Sequence, residues 1–345
     1  MAAALAAAAD WLSFRGDPEQ TGWQMRERVL SAGNVKDLKL LWKLPLDNVS
    51  KGLNALTGPT LLGPIVTHRG IKELVIIAGA SDNVYAVDAD LGRLFWKTHL
   101  ERAAADRGEN PPCGAGLTAT PVIAPPAVPI QDEDEGSPPS RPIYVLASDG
   151  RVHALFPSDG KDMTGPVQFV PADAHASNLN LFGRVLYTTT SDGCGGAANG
   201  VWSLELHDPG AKPAFSTLGP IGVARGYERS ATWRDPSGAR WTYVADVNGI
   251  TAYNSAGAPG WRSPDLRGAL PPLIANGILF VLLSAGKSTH ATLYALDALT
   301  GKQLYSSGSA VTSFVHSGGL GLANGHVCFG TSDNTLYCFG IPIEI

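Results

Sequence analysis

The sequence predicts an all-β fold, a six-bladed β-propeller built from four-stranded antiparallel blades. Three observations predict it: a short hairpin pattern occurs six times, the copies follow one another at blade-sized intervals, and a spare strand near the N-terminus can complete the last copy. The composition agrees, because 40 glycines and 25 prolines together with 44% hydrophobic and 17% charged residues are typical of a turn-rich chain with a large core.

The recurring pattern is a tight-turn dipeptide followed by an alternating apolar strand. The strand copies begin at Val84, Val152, Val201, Ile250, Leu293 and Leu336. Five of them follow a dipeptide that tolerates positive φ, namely Asp82-Asn83, Asp149-Gly150, Asn199-Gly200, Asn248-Gly249 and Asp333-Asn334. Each copy is therefore predicted to be a strand, a turn and a second strand.

The spacing of the copies is that of propeller blades. The small central residues of the strands are Ala86, Ala154, Ser203, Ala252, Ala295 and Cys338, and they are separated by 68, 49, 49, 43 and 43 residues. The long first interval contains the proline-rich, acidic stretch 125–141, which we interpret as a solvated loop insertion. Each copy has room for four strands, and for the fifth copy these are predicted at 270–275, 278–284, 292–297 and 303–306.

The sixth copy lacks a fourth strand of its own, because the chain ends soon after Phe339. The strand predicted at 39–46 can supply it, so that the N-terminal strand completes the last blade and closes the ring. Residues 11–345 are then one propeller domain. Residues 1–10 form an alanine-rich stretch, which is either the remnant of a leader or a disordered tail.

Charge and hydropathy exclude two classes of partner. The net charge is −5, and no run of lysine and arginine is present, so nucleic acid is not an expected partner. No stretch reaches the ~20 apolar residues that a membrane-spanning helix needs. We therefore predict no membrane span.

Two motifs carry a family resemblance. The segments Ala86–Trp96 and Ala295–Tyr305 resemble the tryptophan-docking motif of PQQ-like (quinoprotein alcohol dehydrogenase-like) propellers. The opening segments 11–17 and 34–42 and the ending 323–340 resemble the same superfamily. The resemblance implies a bacterial periplasmic or secreted protein. It also implies seven or eight blades as an alternative to the six that are counted here.

Two features of alcohol-oxidising members have no counterpart in this sequence. No two cysteines are adjacent, and no residue matches the calcium-binding carboxylates of those enzymes. If the chain binds PQQ with calcium, its ligands are therefore not identified by the motif.

The predicted ligand site is the top face, where the inner strand of each blade begins. Alignment on Gly183, Gly277 and Gly325 places a polar side chain at the start of most inner strands; these are His175, Glu228, Arg229, Arg267 and His316. In one interpretation Arg229 and Arg267 hold an anionic ligand or quinone, while His175, Glu228 or His316 is the general base. In the other, these groups line a water-filled channel.

The four cysteines allow two disulfides. Cys113 and Cys194 are predicted on the same face in adjacent blades. Cys328 and Cys338 flank the last hairpin, where a three-residue turn centred on Asp333 would set them opposite each other and a two-residue turn would not. The alternative is that all four are buried thiols.

Two functions follow from these observations. The first is a non-catalytic extracytoplasmic platform that binds a small molecule or a protein at its top face. The second, implied by the resemblance, is a PQQ-dependent dehydrogenase that oxidises an alcohol, a sugar or a hydroxylated polymer, with a calcium-like ion. The cysteine pattern and the missing carboxylates favour the first, whereas the opening motif and the polar top-face residues favour the second.

Overall fold

The regular structure of the described residues is almost entirely β. The computed structural model describes residues 9–102, 116–126, 141–208, 210–217, 229–284, 286, 289–316 and 318–342. Its non-β elements there are single 3₁₀ turns at Val35–Asp37, Cys194–Gly196 and Pro264–Leu266. The strands form six antiparallel sheets, which is consistent with a β-propeller.

The sheets are numbered here in chain order. Sheet 1 contains Thr60–Thr67, Gly70–Gly79, Asn83–Asp88 and Leu94–His99. Sheet 2 contains Val122–Ile123, Ile143–Leu146, Arg151–Leu155 and Val167–Gln168. Sheet 3 contains Val185–Ser191, Gly200–Glu205 and Ala214–Ser216, and its first strand is interrupted, so that His175–Ala176 and Asn180–Phe182 both pair with Val185–Ser191.

Sheets 4 to 6 have four strands each. Sheet 4 contains Ser230–Arg234, Arg240–Asp246, Gly249–Asn254 and Pro259–Ser263. Sheet 5 contains Leu273–Ala275, Ile278–Leu283, Thr292–Asp297 and Gln303–Ser306. Sheet 6 contains Gly321–Ala323, His326–Gly330, Thr335–Gly340 and the early strand Lys39–Pro45. The strand predicted at 39–46 thus pairs with the last strand of the chain, with Trp42 opposite Cys338.

The predicted hairpin turns contain left-handed residues at four of the five dipeptides. Asp82, Gly150, Gly249 and Asn334 have positive φ. Gly200 does not, because it lies within the third strand of sheet 3 and the turn before it is a longer loop. In that loop the left-handed residues are Asp192, Gly193, Gly195 and Gly196.

The hydrophobic core lies between neighbouring sheets. Separate clusters of buried side chains join sheets 5, 6 and 1, sheets 1 and 2, sheets 2 and 3, and sheets 4 and 5. The strand Asn83–Asp88 is buried along its whole length, since it has neighbours on both faces of its sheet. Among the described residues, these clusters pack sheets 4, 5, 6, 1, 2 and 3 against one another in that order, and none of them joins sheets 3 and 4.

Outer-strand tryptophans contact the next sheet in a recurring geometry. Trp42, Trp96 and Trp261 donate their indole N–H groups to the backbone carbonyls of Ala89, Pro157 and Ala298, at 2.7, 2.8 and 2.8 Å. Each ring also lies against a left-handed glycine of that sheet, respectively Gly92, Gly160 and Gly301. Between sheets 2 and 3, where no tryptophan makes this contact, a groove of about 390 Å³ remains.

The N-terminal segment, residues 9–30, contacts the first strand of every sheet. Its residues reach the six sheets in chain order, so the segment passes the first strands of the sheets one after another. The hydrogen-bonded partners, from sheet 1 to sheet 6, are Trp11 with Leu61, Leu12 with Ile123, Pro18 with Asn180, Thr21 with Thr232, Gly22 with Ile274 and Gln24 with Leu322.

Packing of this segment begins inside the tail that the sequence predicts at residues 1–10. Ala9 is buried, and its backbone N–H donates to the side chain of Asn324. Asp10 forms an ion pair with Arg141 at 2.9 Å. Residues 1–8 and most of the predicted insertion 125–141, namely 127–140, lie outside the described residues. Within the described residues, no helix has the length and apolar character needed to cross a membrane.

Candidate functional site

The entry face is the face at which the first strand of each sheet begins and the second and third strands are joined. His175 begins the first strand of sheet 3, and the left-handed Asp192 follows the second strand, where register places the two close together. Nδ1 of His175 lies 2.7 Å from Oδ2 of Asp192. Both side chains are solvent-exposed, so this pair contributes little to stability.

The other predicted entry-face residues do not converge in the described part of the structure. Arg229, Arg267 and His316 are exposed, and no hydrogen bond or ion pair among the described residues joins them to one another or to His175. Glu228 lies outside the described residues. A general base beside a ligand-holding arginine therefore stays a prediction.

The cavity at the entry face beside His316 is too small for a cofactor. It lies between His316 and the turn at Thr331 and Ser332, and its volume is about 10 Å³. That is room for one water molecule, whereas ligands of the size of PQQ occupy about 300 Å³ or more. The described residues at this position do not fit PQQ with calcium.

The N-terminal segment also joins residues of sheets that are distant in the sequence. The ring of Phe14 lies against Gly58 and Gly319, before the first strands of sheets 1 and 6, where an added β-carbon would come within 3.1 and 2.6 Å of it. The next residue, Arg15, is buried and donates to the backbone carbonyl of Ser230 in sheet 4. Consecutive side chains of the segment thus contact residues before sheets 1 and 6 and a residue of sheet 4.

The three cysteines within the described residues are all disulfide-bonded. Cys328 and Cys338 are opposite each other in register, with Cα atoms 4.1 Å apart, and a disulfide joins them. The turn between them is the three-residue one centred on Asp333, since Gly330 is opposite Leu336. Cys194 is also disulfide-bonded, and Cys113 lies outside the described residues.

Replacing Cys328 and Cys338 together with alanine is expected to lower the free energy of unfolding by roughly 2–3 kcal/mol, because the disulfide closes a loop of 10 residues in the unfolded chain. Urea unfolding of the double variant and the wild type measures this. Peptide mass mapping without reductant should recover the 328–338 cross-link. Finding four free thiols would contradict the prediction.

A cluster that the sequence analysis did not predict lies between sheets 1 and 6. Oε2 of Glu73 lies 4.0 Å from Nδ1 of His326, and Oδ1 of Asp90 lies 3.6 Å from Nε2 of the same ring. Burial raises the pKa of Glu73 to about 7; the hydrogen bond from Asn324 opposes this shift, and the negative charge of Asp90 adds to it. Burial lowers the pKa of His326.

One signal in the sequence could have drawn attention to this cluster. Asp90 occupies the position in its motif that Leu299 occupies in the other well-kept copy. A carboxylate there is not needed for the turn, because Asp88 and Asp297 already accept the turn N–H groups. The turn therefore does not explain why a carboxylate occupies position 90.

The fold and these contacts define a protein of the β-propeller class. A family model described as "Outer membrane protein assembly factor BamB" matches residues 199–341. A search of curated proteins found no match. The family match and the first structural neighbour described next confirm the resemblance to the PQQ-like propeller family.

The structure is similar to solved quinohemoprotein alcohol dehydrogenases. The enzyme from Comamonas testosteroni superposes with a TM-score of 0.56 at 13% identity, over 99% of this chain and 82% of that chain. The alcohol dehydrogenase ADHIIG from Pseudomonas putida HK5 gives 0.45 at 11% identity, over 98% and 81%. BamB from Moraxella catarrhalis gives 0.30 at 14% identity, over 88% and 99%. At these identities the likeness concerns the fold alone.

Proposed function

We propose that this chain is an extracytoplasmic PQQ-like propeller of six four-stranded blades that acts as a non-catalytic binding platform. One observation carries the proposal: the consecutive side chains Phe14 and Arg15 contact residues before sheets 1 and 6 and in sheet 4, which in a ring of six blades places them at its centre. A quinone would need this space near the axis. The surface of the entry face is left for a partner.

Six blades with a closed ring account for the strand pairing. The strand Lys39–Pro45 supplies the fourth strand of sheet 6, as the proposed closure requires. The N-terminal segment reaches the six sheets in order within one circuit, which a ring of six explains without further blades. The three indole contacts between neighbouring sheets are those that tryptophan docking would make.

The chemistry of the entry face favours an acidic partner. Arg229 and Arg267 belong to neighbouring sheets 4 and 5, and both guanidinium groups are exposed to solvent. Guanidinium groups bind carboxylates in a bidentate manner and are frequent anchors of protein interfaces. Disulfides at Cys194 and at Cys328–Cys338 are those of a protein that matures in an oxidising compartment, which supports a periplasmic or secreted location.

Replacing both Arg229 and Arg267 with glutamate is expected to abolish capture of the acidic partner, with a loss of about tenfold or more in affinity for each arginine. The matched control reverses the charges of Arg234 and Arg240, which are exposed and lie opposite each other at the end of sheet 4 that is away from the entry face. Affinity capture from the secreted or periplasmic fraction of the source cells, followed by quantitative mass spectrometry, compares the two double variants with the wild type.

The same preparations distinguish a platform from an enzyme. We expect no heat of PQQ binding by calorimetry, with or without calcium, and no dye-linked oxidation of alcohols or sugars. Calcium-dependent PQQ binding with turnover would contradict the proposal and would make Glu228, His175 and His316 the first residues to replace. Equal capture by both double variants would contradict the role of the two arginines.

A further inference from the structure

The strongest unassigned site is the cluster of Glu73, Asp90 and His326. Glu73 belongs to the second strand of sheet 1, Asp90 to the turn after its third strand, and His326 begins the second strand of sheet 6. One donor atom from each side chain can be chosen so that all three lie within 4.8 Å of one another. The cluster thus spans the boundary between the first and the last sheet.

The imidazole of His326 is buried without the partners that burial normally demands. Its side chain is only 10% exposed, and Nδ1 has no hydrogen-bond partner among the described residues. A buried nitrogen without a partner costs free energy, and structures rarely tolerate one without a reason. Glu73 faces Nδ1 of the ring and Asp90 faces Nε2, so whichever nitrogen bound a cation would have a carboxylate beside it.

The surrounding charges also favour a cation. Lys72 pairs with Asp88 at 2.7 Å, and Arg141 pairs with Asp10 at 2.9 Å, so both nearby basic side chains are already engaged. Among the described residues, Glu73 and Asp90 have no lysine or arginine partner. The cluster therefore offers a cation two carboxyl groups and an imidazole nitrogen, and no basic side chain of the described residues is paired with either carboxyl group.

We propose that Glu73, Asp90 and His326 bind one divalent cation of the zinc class, which joins the first sheet to the last. One imidazole and two carboxylates suit Zn²⁺, whereas Ca²⁺ and Mg²⁺ prefer oxygen ligands alone. Zinc ligands lie about 2.0–2.2 Å from the ion, so the side chains must close slightly around it. Asp90, which is 55% exposed, can rotate to do so.

Three protein ligands leave a fourth position for water. The ion would tie residues from opposite ends of the chain together, and its binding free energy would then add to the stability of the folded state. This role is independent of any partner on the entry face, because the ligands belong to the other end of the first strands, beside the left-handed turn at Asn324 and Gly325.

Titration of untagged, EDTA-treated full-length protein with zinc chloride tests the proposal. We expect one bound Zn²⁺ per chain by calorimetry and a saturable rise in Tm, while calcium chloride has no comparable effect. Asp90→Asn and His326→Asn are expected to weaken zinc binding by at least tenfold and to remove the rise in Tm. Because Asp90 is a half-exposed turn residue, Asp90→Asn is expected to fold even if His326→Asn does not, so that zinc binding can be measured in at least one variant.

Two matched controls locate the bound ion. Asp265→Asn removes an exposed carboxylate beside the entry face, at the opposite end of the sheets from the cluster, and His175→Asn removes the exposed histidine that pairs with Asp192. Both variants should bind zinc as the wild type does. Absence of zinc binding, or binding and a rise in Tm that persist in Asp90→Asn and His326→Asn, would overturn the proposal and leave His326 as an imidazole between two carboxylates.

Discussion

Replacing Trp11 with alanine is expected to lower the free energy of unfolding by about 3–5 kcal/mol, the range observed for large aromatic residues in cores. Its side chain is 1% exposed and belongs to the cluster that joins sheets 5, 6 and 1. The indole Nε1 has no hydrogen-bond partner among the described residues, so the contribution of this side chain is apolar burial alone. Urea unfolding followed by circular dichroism measures the change.

The control lies in the same segment. Met25 is 65% exposed, and Met25→Ala is expected to change stability by no more than about 0.5 kcal/mol. If Trp11→Ala unfolded at the same urea concentration as the wild type, the N-terminal segment would not be part of the cooperative unit. The proposal that it fills the centre of the propeller would then lose its support.

The sheets could be predicted because strand and turn signals are local. In sheet 5 the strands Thr292–Asp297 and Gln303–Ser306 have the predicted bounds, and Leu273–Ala275 and Ile278–Leu283 lie within the predicted ranges. Alternation of apolar side chains and the positive φ of Asx and glycine residues act over a few residues. Both signals can therefore be recognised in a short segment without information about the rest of the chain.

The path of the N-terminal segment along the six sheets could not be predicted in this way. Most of its contacts are made by backbone N–H and carbonyl groups, which every residue possesses, so they leave no pattern in the side chains. Only the turn asparagines give a hint. Asn276 and Asn324 have positive φ, and their side chains bind backbone groups of the segment.

The entry face illustrates a different limit. Gly183, Gly277 and Gly325, on which the prediction was aligned, do lie in turns, with φ of 61°, 74° and 81°. The alignment therefore rests on real structural equivalences. Whether side chains at equivalent positions converge depends on the radius of the ring and on local partners, and His175 is paired with Asp192 from its own sheet.

The cluster at Glu73, Asp90 and His326 was missed for a related reason. Each residue alone looks ordinary in the sequence, as a charged residue at the end of a strand or in a turn. Their proximity arises only when the first and last sheets are neighbours, which contacts between Gly321 and the Leu61 side chain demonstrate. A site formed between the first and the last sheet has no signature in sequence spacing.

Replacing Trp96 with alanine is expected to lower the free energy of unfolding by about 3–5 kcal/mol, because it removes a buried ring from the boundary between sheets 1 and 2. The side chain is 8% exposed, and its N–H donates to the carbonyl of Pro157. Trp96→Phe keeps most of the ring and loses this hydrogen bond, so a smaller loss that includes about 1 kcal/mol for the bond is expected. Urea unfolding by circular dichroism again provides the measurement.

A double-mutant cycle tests whether the contact between the Trp96 ring and Gly160 contributes to the stability that Trp96→Ala removes. A β-carbon at Gly160 would lie 2.5 Å from the Trp96 ring and 2.6 Å from Oγ1 of Thr98, so Gly160→Ala should be strongly destabilising in the wild type. Beside Trp96→Ala it should be less destabilising, because only the contact with Thr98 and the φ of +72° remain. Gly210, in the corresponding turn of sheet 3, faces no ring, and Gly210→Ala should be nearly neutral in both backgrounds. Additive effects of Trp96→Ala and Gly160→Ala would contradict an interface held by this indole, because side chains that share a contact do not act independently.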